Sequence, residues 1–352
     1  MAYLSALAQS LTPYQAGEQP KDRTYIKLNT NENPYPPSPN ALEAIKAAAA
    51  DLHLYPDMNC SSLCQAVAKA NGILPEQVFA GNGSDEVLAF AFAAFYAGKR
   101  LLAPDVTYSF YPVYAKLFGA RYETVPLNDD FSVDVQGLMQ HAPVVLANPN
   151  APTGMMLPVR ELAKLAAHVK EQGEVLLIDE AYEAFAQENA VPLLREFDNI
   201  LIVRTMSKAY SLAGLRVGYA MGHPSLIEGL NRVKDCFNSY SLDRLAQASA
   251  AAALDDADYY VNTVKQIVGT RDWMQDALLA KGIDVLPSST NFLFVKAHNK
   301  NAAGVLAALK ERGILVRHFN KPRIAPYLRI SIGLRADMEV VVRELTAIIK
   351  GR

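Results

Sequence analysis

The sequence predicts an α/β protein with a mostly parallel sheet and a smaller α+β domain towards its carboxyl end. In the central part of the 352-residue chain, short apolar runs alternate with amphipathic helical stretches, which is typical of parallel sheets. Several of these runs are apolar throughout, as strands covered on both faces must be. Beyond residue 241 the pattern changes to a long helical stretch followed by three short strand candidates.

We divide the chain into an N-terminal arm (1–29), a large domain (30–240) and a small domain (241–352). The prolines of stretch 30–40 predict an ordered loop at the start of the large domain. The strand candidates of the large domain are 100–103, 144–147, 175–178, 200–203 and 217–221, with helices that include 84–96 and 159–172. Those of the small domain are 291–296, 314–318 and 328–332, with helices at 242–282, 302–312 and 337–350.

The composition argues against several classes of protein. A hydrophobic content of 51% with 20% charged residues predicts a sizeable core rather than a disordered chain. The net charge of −2, without a basic stripe, argues against nucleic-acid binding. No run approaches the roughly 18 apolar residues of a membrane span, and the first 20 residues do not read as a secretory signal. Three sparse cysteines fit the reducing cytoplasm and predict neither disulfides nor a metal site.

Reactive side chains follow the strand candidates at the points where these end. Asp179 ends one strand candidate, Lys208 lies just past the next, and the amide-rich turn 148–154 follows a third. A glycine-rich turn at 81–86 opens a helix. Because ligands of open α/β sheets bind beyond the carboxyl ends of the strands, we expect all four features at one edge of the sheet.

Each feature alone also has an ordinary structural explanation, but together they fit one cofactor. The glycine-rich turn, the hydroxyls of Thr205 and Ser207 and the guanidinium of Arg216 suit a phosphate group. Lys208 is suited to supply an amine that forms a Schiff base with a carbonyl, because burial and nearby cations would lower its pKa. Asp179 is suited to supply a carboxylate that holds a protonated ring nitrogen. This combination predicts pyridoxal 5′-phosphate.

At this point the sequence resembles the fold-type I aminotransferases. Segment 205–216, with its eight-residue step from Lys208 to Arg216, is similar to their cofactor-lysine segment, and 179–182 is similar to their pyridine-nitrogen motif. Segments similar to the histidinol-phosphate aminotransferase branch are 28–34, 55–57, 81–86 and 328–333. The resemblance covers nearly the whole chain in order.

The resemblance implies a seven-stranded sheet in the large domain and a role for each matching residue. Lys208 would carry the cofactor and shuttle a proton, Asp179 would bind the ring nitrogen, and Tyr182 would bind the ring hydroxyl. Tyr108 would stack on the ring. The residues around the cofactor phosphate would be Ser84, Asp85, Thr205, Ser207 and Arg216. Tyr55 would reach the cofactor phosphate of a neighbouring subunit, which implies a homodimer.

The resemblance also implies substrate contacts. Arg329 would grip the α-carboxylate of glutamate or 2-oxoglutarate, a bidentate task suited to arginine. Tyr14 and Arg317 would meet the substrate phosphate, and Asn31 is counted among the substrate-binding residues.

One position departs from the family pattern. The family has asparagine directly before Pro-Thr-Gly, where its side chain meets the ring hydroxyl, and this chain has Ala151. Either Asn150 takes over that contact after a backbone shift, or Tyr182 acts alone. We include Asn150 among the candidate cofactor residues.

The predicted activity is transfer of an amino group between glutamate and imidazole-acetol phosphate, giving histidinol phosphate in histidine biosynthesis. An aromatic-amino-acid aminotransferase and a threonine-phosphate decarboxylase share most of these motifs and stay open as alternatives. A catalytically silent binding relative is disfavoured, because packing requires neither Lys208 nor Asp179. A nucleotide-dependent enzyme is disfavoured because the turn at 81–86 lacks the lysine of a P-loop.

Overall fold

The computed structural model of the chain describes residues 3–13, 17–297 and 301–351. Its strands are β1 (Ile26–Lys27), β2 (Val78–Asn82), β3 (Arg100–Pro104), β4 (Arg121–Val125), β5 (Val144–Ala147), β6 (Leu176–Asp179), β7 (Ile200–Thr205), β8 (Val217–Gly222), β9 (Phe292–Lys296), β10 (Ile314–Leu315), β11 (Arg317–His318) and β12 (Tyr327–Ser331). Its helices are α1 (Ala6–Ser10), α2 (Pro39–Ala48), α3 (Ser61–Asn71), α4 (Gly83–Ala91), α5 (Tyr111–Leu117), α6 (Val135–Leu138), α7 (Val159–Glu171), α8 (Pro224–Phe237), α9 (Arg244–Asp255), α10 (Ala257–Leu279), α11 (Ala302–Glu311) and α12 (Arg335–Lys350).

Within the described residues, seven strands form one sheet in the order β2-β8-β7-β6-β5-β3-β4. Strand β8 runs antiparallel to both of its neighbours, and the other pairs are parallel. The carboxyl ends of β2, β3, β5, β6 and β7 therefore share one edge with the start of β8. This arrangement confirms the predicted mostly parallel, seven-stranded sheet.

The central strands are covered on both faces, which explains their continuous apolar sequence. In β6, Leu176 and Ile178 point into a core shared with α3 and α7, whereas Leu177 points into a second core shared with α4 and α8. All three side chains are fully buried. The alternation follows from the two-residue period of a strand, which sends successive side chains to opposite faces.

The small domain is built on an antiparallel sheet in the order β11-β12-β9. Its core includes Ile267 of α10, Leu309 of α11 and Leu345 of α12. Strand β10 pairs in parallel with β1, with Ile314 opposite Ile26. The end of the predicted N-terminal arm is therefore joined to the small domain.

The predicted helical stretch 242–282 forms two helices, α9 and α10. Ala246 and Ala250 of α9 lie in the core of the large domain together with residues of α2 and α3. Packing therefore assigns α9 to the large domain, although it lies beyond the boundary expected at residue 241. In the described part of the chain, no helix combines the length and apolar character of a membrane span.

Candidate active site

A cavity of about 470 Å³ opens at the carboxyl edge of the large sheet, between the two domains. Four loops meet there, following β3, β5, β6 and β7, together with the start of α4. The predicted site residues that line the cavity are Asn31, Ser84, Asp85, Tyr108, Asp179, Tyr182, Thr205, Ser207, Lys208, Arg216, Arg317 and Arg329. The sheet edge thus brings together side chains that lie far apart in the sequence.

Asp179 ends β6 with its carboxylate almost fully buried. The hydroxyl of Tyr111 donates a hydrogen bond of 2.8 Å to Oδ2, and the amide of Ala181 donates one of 3.2 Å to Oδ1. Burial raises the pKa of Asp179 to about 6, against the opposing effect of these two donors. A buried carboxylate at a cavity wall is suited to hold a cationic N–H.

Lys208 lies in the loop after β7. Its ammonium donates a hydrogen bond of 3.0 Å to the main-chain oxygen of Thr30. Burial, followed by repulsion from Arg329, lowers the pKa of Lys208 to about 8, although Glu32 acts in the opposite direction. The amine is therefore far closer to its neutral, nucleophilic form at physiological pH than an exposed lysine is.

Arg216 links the start of α4 to the loop after β7 at the same edge. Its Nη2 lies 3.1 Å from Oδ2 of Asp85, and its Nη1 lies 3.3 Å from Oγ of Ser207. The amide of Ser207 in turn donates to Oγ1 of Thr205 over 3.1 Å. The first turn of α4, which includes Ser84, lies beside these groups. A helix start, hydroxyls and a guanidinium fit a phosphate group.

Two glycines make this arrangement sterically feasible. A Cβ on Gly218 of β8 would lie 2.2 Å from the amide nitrogen of Ser84, so only glycine lets the start of α4 approach the strand. Gly83 has a φ of +80°, and a Cβ there would lie 2.6 Å from Nη2 of Arg216. Both close approaches lie at the start of α4, beside Arg216.

Two tyrosines and an asparagine also line the cavity. The Tyr108 hydroxyl donates to Oδ1 of Asp85 over 2.9 Å. The hydroxyl of Tyr182 accepts a hydrogen bond of 2.8 Å from Nδ2 of Asn31. Asn31 is itself fixed by the Ser331 hydroxyl, which donates to its Oδ1 over 2.9 Å. The small domain thus helps to orient Tyr182.

Asn150 does not line the cavity, contrary to our expectation. Its Oδ1 accepts from Oγ1 of Thr107, and its Nδ2 donates to Oγ1 of Thr153 and to the carbonyl of Val106, each over 2.9 Å. The side-chain amide of Asn150 is therefore hydrogen-bonded to neighbouring loop residues rather than directed into the cavity. Ala151 faces the cavity instead, so the position that carries asparagine in the family presents a methyl group here.

The predicted substrate arginines lie side by side. Arg317 of β11 is the register partner of Arg329 in β12, and both line the cavity. Nη2 of Arg329 lies 3.2 Å from the main-chain oxygen of Asn29. These guanidinium groups make the small-domain side of the cavity cationic. Tyr14 lies outside the described residues.

Tyr55 is absent from the lining of this cavity and lies on the surface of the described chain. Its side chain is 79% exposed and stacks on Tyr240, with ring centroids 4.8 Å apart. Large apolar side chains are also exposed close to these two tyrosines in the sequence of the described chain. They are Leu52, Leu54 and Met58 near Tyr55, and Phe237 near Tyr240. Such side chains are typical of a protein–protein interface.

Sequence reasoning missed two contributors to the site. Tyr111 contacts Asp179, and Glu32 lines the cavity, paired with Lys27 over 2.5 Å. No periodicity or spacing in the sequence distinguishes Tyr111 from the neighbouring tyrosines. The contact arises because α5 starts beside the end of β6, a relationship that only the tertiary structure provides.

The fold is that of an α/β protein, and one cavity at its sheet edge is lined by a lysine amine, a buried carboxylate and a guanidinium, a set typical of enzymes that use pyridoxal phosphate. The chain belongs to the aminotransferase class I and II family, whose sequence profile matches residues 23–345.

Among its relatives, the histidinol-phosphate aminotransferase of Gluconacetobacter diazotrophicus is 50% identical, over 99% of this chain and 98% of the relative. That of Aromatoleum aromaticum is 47% identical, over 99% of each chain. The histidinol-phosphate aminotransferase of Sinorhizobium meliloti, solved in complex with pyridoxal-5′-phosphate, matches with a TM-score of 0.89 at 29% identity, over 100% of this chain and 98% of that one. A putative histidinol-phosphate aminotransferase from Erwinia carotovora matches with a TM-score of 0.86 at 26% identity, over 93% and 96% of the two chains.

Proposed function

We propose that this chain is a pyridoxal-phosphate-dependent aminotransferase that exchanges amino groups between glutamate and imidazole-acetol phosphate. The products are 2-oxoglutarate and histidinol phosphate, an exchange that belongs to histidine biosynthesis. The observation that carries this proposal is the convergence of Lys208, Asp179 and the Arg216 anion site on one cavity. The names of the relatives at 47–50% identity support the substrate assignment.

The donor set fits the cofactor. The bound cofactor supplies an aldehyde for amines and an electron-withdrawing ring. Asp179 would hold a proton at the ring nitrogen, and Tyr182, whose hydroxyl is oriented by Asn31, would donate to the ring oxygen. Because the side chain of Ala151 offers no donor, we assign the ring oxygen to Tyr182 alone. Ser84, Thr205, Ser207 and Arg216 would hold the phosphate, with Asp85 orienting Arg216, and Tyr108 would stack on the ring.

The remaining residues act on the substrate. Lys208 would carry a proton on its Nζ between the substrate α-carbon and the aldehyde carbon of the cofactor, a role for which a pKa of about 8 is suited. Arg329 binds the α-carboxylate of glutamate through its planar guanidinium. Arg317 binds the substrate phosphate, for which we also propose Tyr14.

We further propose that the enzyme is a homodimer in which Tyr55 of each subunit contacts the cofactor phosphate bound by the other. The exposed, tyrosine-stacked position of Tyr55 and the apolar side chains around it support this arrangement. We also propose a cytoplasmic location, which is supported by the three free thiols of Cys60, Cys64 and Cys236.

The first test traps the cofactor on the protein. Borohydride treatment followed by peptide mass mapping locates the lysine that carries pyridoxal phosphate, and we expect Lys208. The matched control is Lys281→Ala, a lysine outside the cavity that leaves the labelling unchanged. A Lys208→Ala variant that still incorporated the cofactor at a lysine would overturn the assignment.

The second test is a panel of substrates. We expect the highest kcat/KM for histidinol phosphate with 2-oxoglutarate. Faster reaction with phenylalanine or tyrosine would favour an aromatic aminotransferase. Release of CO₂ from threonine phosphate without 2-oxoglutarate would favour a decarboxylase. Either result would contradict the proposed substrate while keeping the cofactor assignment.

A further inference from the structure

Tyr111 occupies a position behind the candidate cofactor carboxylate. It begins α5, its side chain is fully buried, and its hydroxyl donates a hydrogen bond of 2.8 Å to Oδ2 of Asp179. Its ring is held in place by Tyr108, edge to face at 5.5 Å, and by Phe92, stacked at 6.3 Å. The hydroxyl is therefore aimed at the carboxylate by packing rather than by chance contact.

The groups around Asp179 act on it in opposite directions. Burial and the negative charges of Asp85 and Glu180 favour the protonated carboxyl, whereas the hydrogen bonds from Tyr111 and Ala181 favour the carboxylate. Tyr111 remains a donor because burial and the neighbouring Asp179 raise its own pKa well above the ordinary value. The two donors occupy one site on each carboxylate oxygen, which leaves acceptor capacity for a third donor.

We infer that Tyr111 is a positioning residue that keeps the proton shared by Asp179 and the cofactor on the ring nitrogen. This inference rests on the proposed function. The shared proton has two positions. On the ring nitrogen it gives a pyridinium–carboxylate pair, and on an oxygen of Asp179 it gives a neutral pyridine–carboxylic acid pair. Only the proton moves between them, and no other bond forms or breaks. A hydroxyl donating to Oδ2 stabilises the first pair over the second, because a charged acceptor binds a donor more strongly.

The test measures the position of that proton directly. Holoenzyme is prepared with pyridoxal phosphate enriched in ¹⁵N at the ring, and its ¹⁵N resonance distinguishes pyridinium from neutral pyridine. We expect a pyridinium resonance for the wild type and a neutral reference from Asp179→Asn. Removing the hydroxyl in Tyr111→Phe shifts the proton equilibrium about tenfold towards Asp179, which moves the resonance towards the neutral reference.

A matched control separates this role from packing. Tyr96 is a fully buried tyrosine of the same aromatic cluster, and its hydroxyl contacts the Val175 carbonyl rather than Asp179. Tyr96→Phe should keep the wild-type resonance, with circular dichroism establishing the fold of each variant. A wild-type resonance in Tyr111→Phe, or equal shifts in both variants, would overturn the inference alone. A wild-type chain that binds no pyridoxal phosphate would overturn the proposed function as well.

Discussion

The ammonium of Lys208 donates to the main-chain oxygen of Thr30, with 3.0 Å between the two atoms. A second link joins the same two segments, because Nδ2 of Asn33 donates to the main-chain oxygen of Lys208 over 3.0 Å. The loop that carries the reactive amine is thereby tied to the segment that leads from the arm into the large domain. These two hydrogen bonds fix the amine of Lys208 beside the main chain of residues 30–33.

Cofactor uptake should depend on pH through Lys208. Its pKa is lowered from 10.5 to about 8, so the neutral amine that attacks the aldehyde accumulates as the pH rises through 8. We expect the rate of pyridoxal phosphate incorporation into apoprotein to rise across that range and then level off. Stopped-flow absorbance measures this rate.

The same experiment has a variant and a control. Arg329 is the largest charge contribution lowering the pKa of Lys208, so Arg329→Gln should move the midpoint to higher pH. Arg335→Gln, at the exposed start of α12, should leave it unchanged. A midpoint that stayed near 10.5 in the wild type would contradict the assigned environment of the lysine.

Gly218→Ala should disrupt the anion site. The added methyl would lie 2.2 Å from the amide nitrogen of Ser84. Because this neighbour is main chain, the clash can be relieved only by moving the start of α4 away from β8. We expect cofactor affinity to fall about tenfold or more, measured by fluorescence titration of the apoprotein. Gly304→Ala is the control, because a Cβ added at Gly304 in helix α11 would meet no atom within 4 Å. Equal affinities for the two variants would contradict the close approach.

Tyr55→Phe tests the shared site of the proposed homodimer. Loss of one hydrogen bond to a charged phosphate should weaken cofactor binding about tenfold, while the molecular mass by light scattering stays that of a dimer. Tyr240→Phe keeps the stacked ring pair and should bind the cofactor as the wild type does. Unchanged affinity in Tyr55→Phe would remove this tyrosine from the site.

Arg204→Leu should destabilise the fold. Nε and Nη2 of Arg204 both donate to Oε2 of buried Glu180, over 2.9 and 2.8 Å. Removing the guanidinium leaves the Glu180 carboxylate buried without its cationic partner. This loss should lower the free energy of unfolding by about 3–5 kcal/mol. Arg232→Ala breaks an exposed pair with Glu228 and should cost less than about 1 kcal/mol. Denaturant titration compares them, and equal losses would contradict the buried pair.

Much of the fold was predictable because the central strands are buried on both faces and therefore apolar throughout. The edge strands β2 and β4 were not predicted. Arg121, Glu123 and Thr124 make β4 polar, since an edge strand is partly solvated, and its sequence does not stand out from a loop. The assignment of α9 also needed the structure, because an alanine-rich helix fits against either domain until its partners are known.

The candidate site was predictable where one motif carries both the chemistry and its place at the sheet edge. Lys208, Asp179 and Arg216 belong to such motifs, and all three line the cavity. Asn150 was misplaced because the sequence does not reveal that Thr107, Val106 and Thr153 take up its amide. Tyr111 was missed because its contact depends on how two distant elements pack.

The reversed direction of β8 has a consequence for how the protein is made. Because β8 starts at the edge where its neighbours end, Arg216 meets Asp85 across 131 positions of sequence. On the ribosome, the helix that begins at Gly83 emerges long before its arginine partner. The half of the site that we propose to bind phosphate requires β8, the last strand of the large sheet to be synthesised, to be in place between β2 and β7. Cofactor capture by a nascent chain would therefore report that this final insertion has taken place.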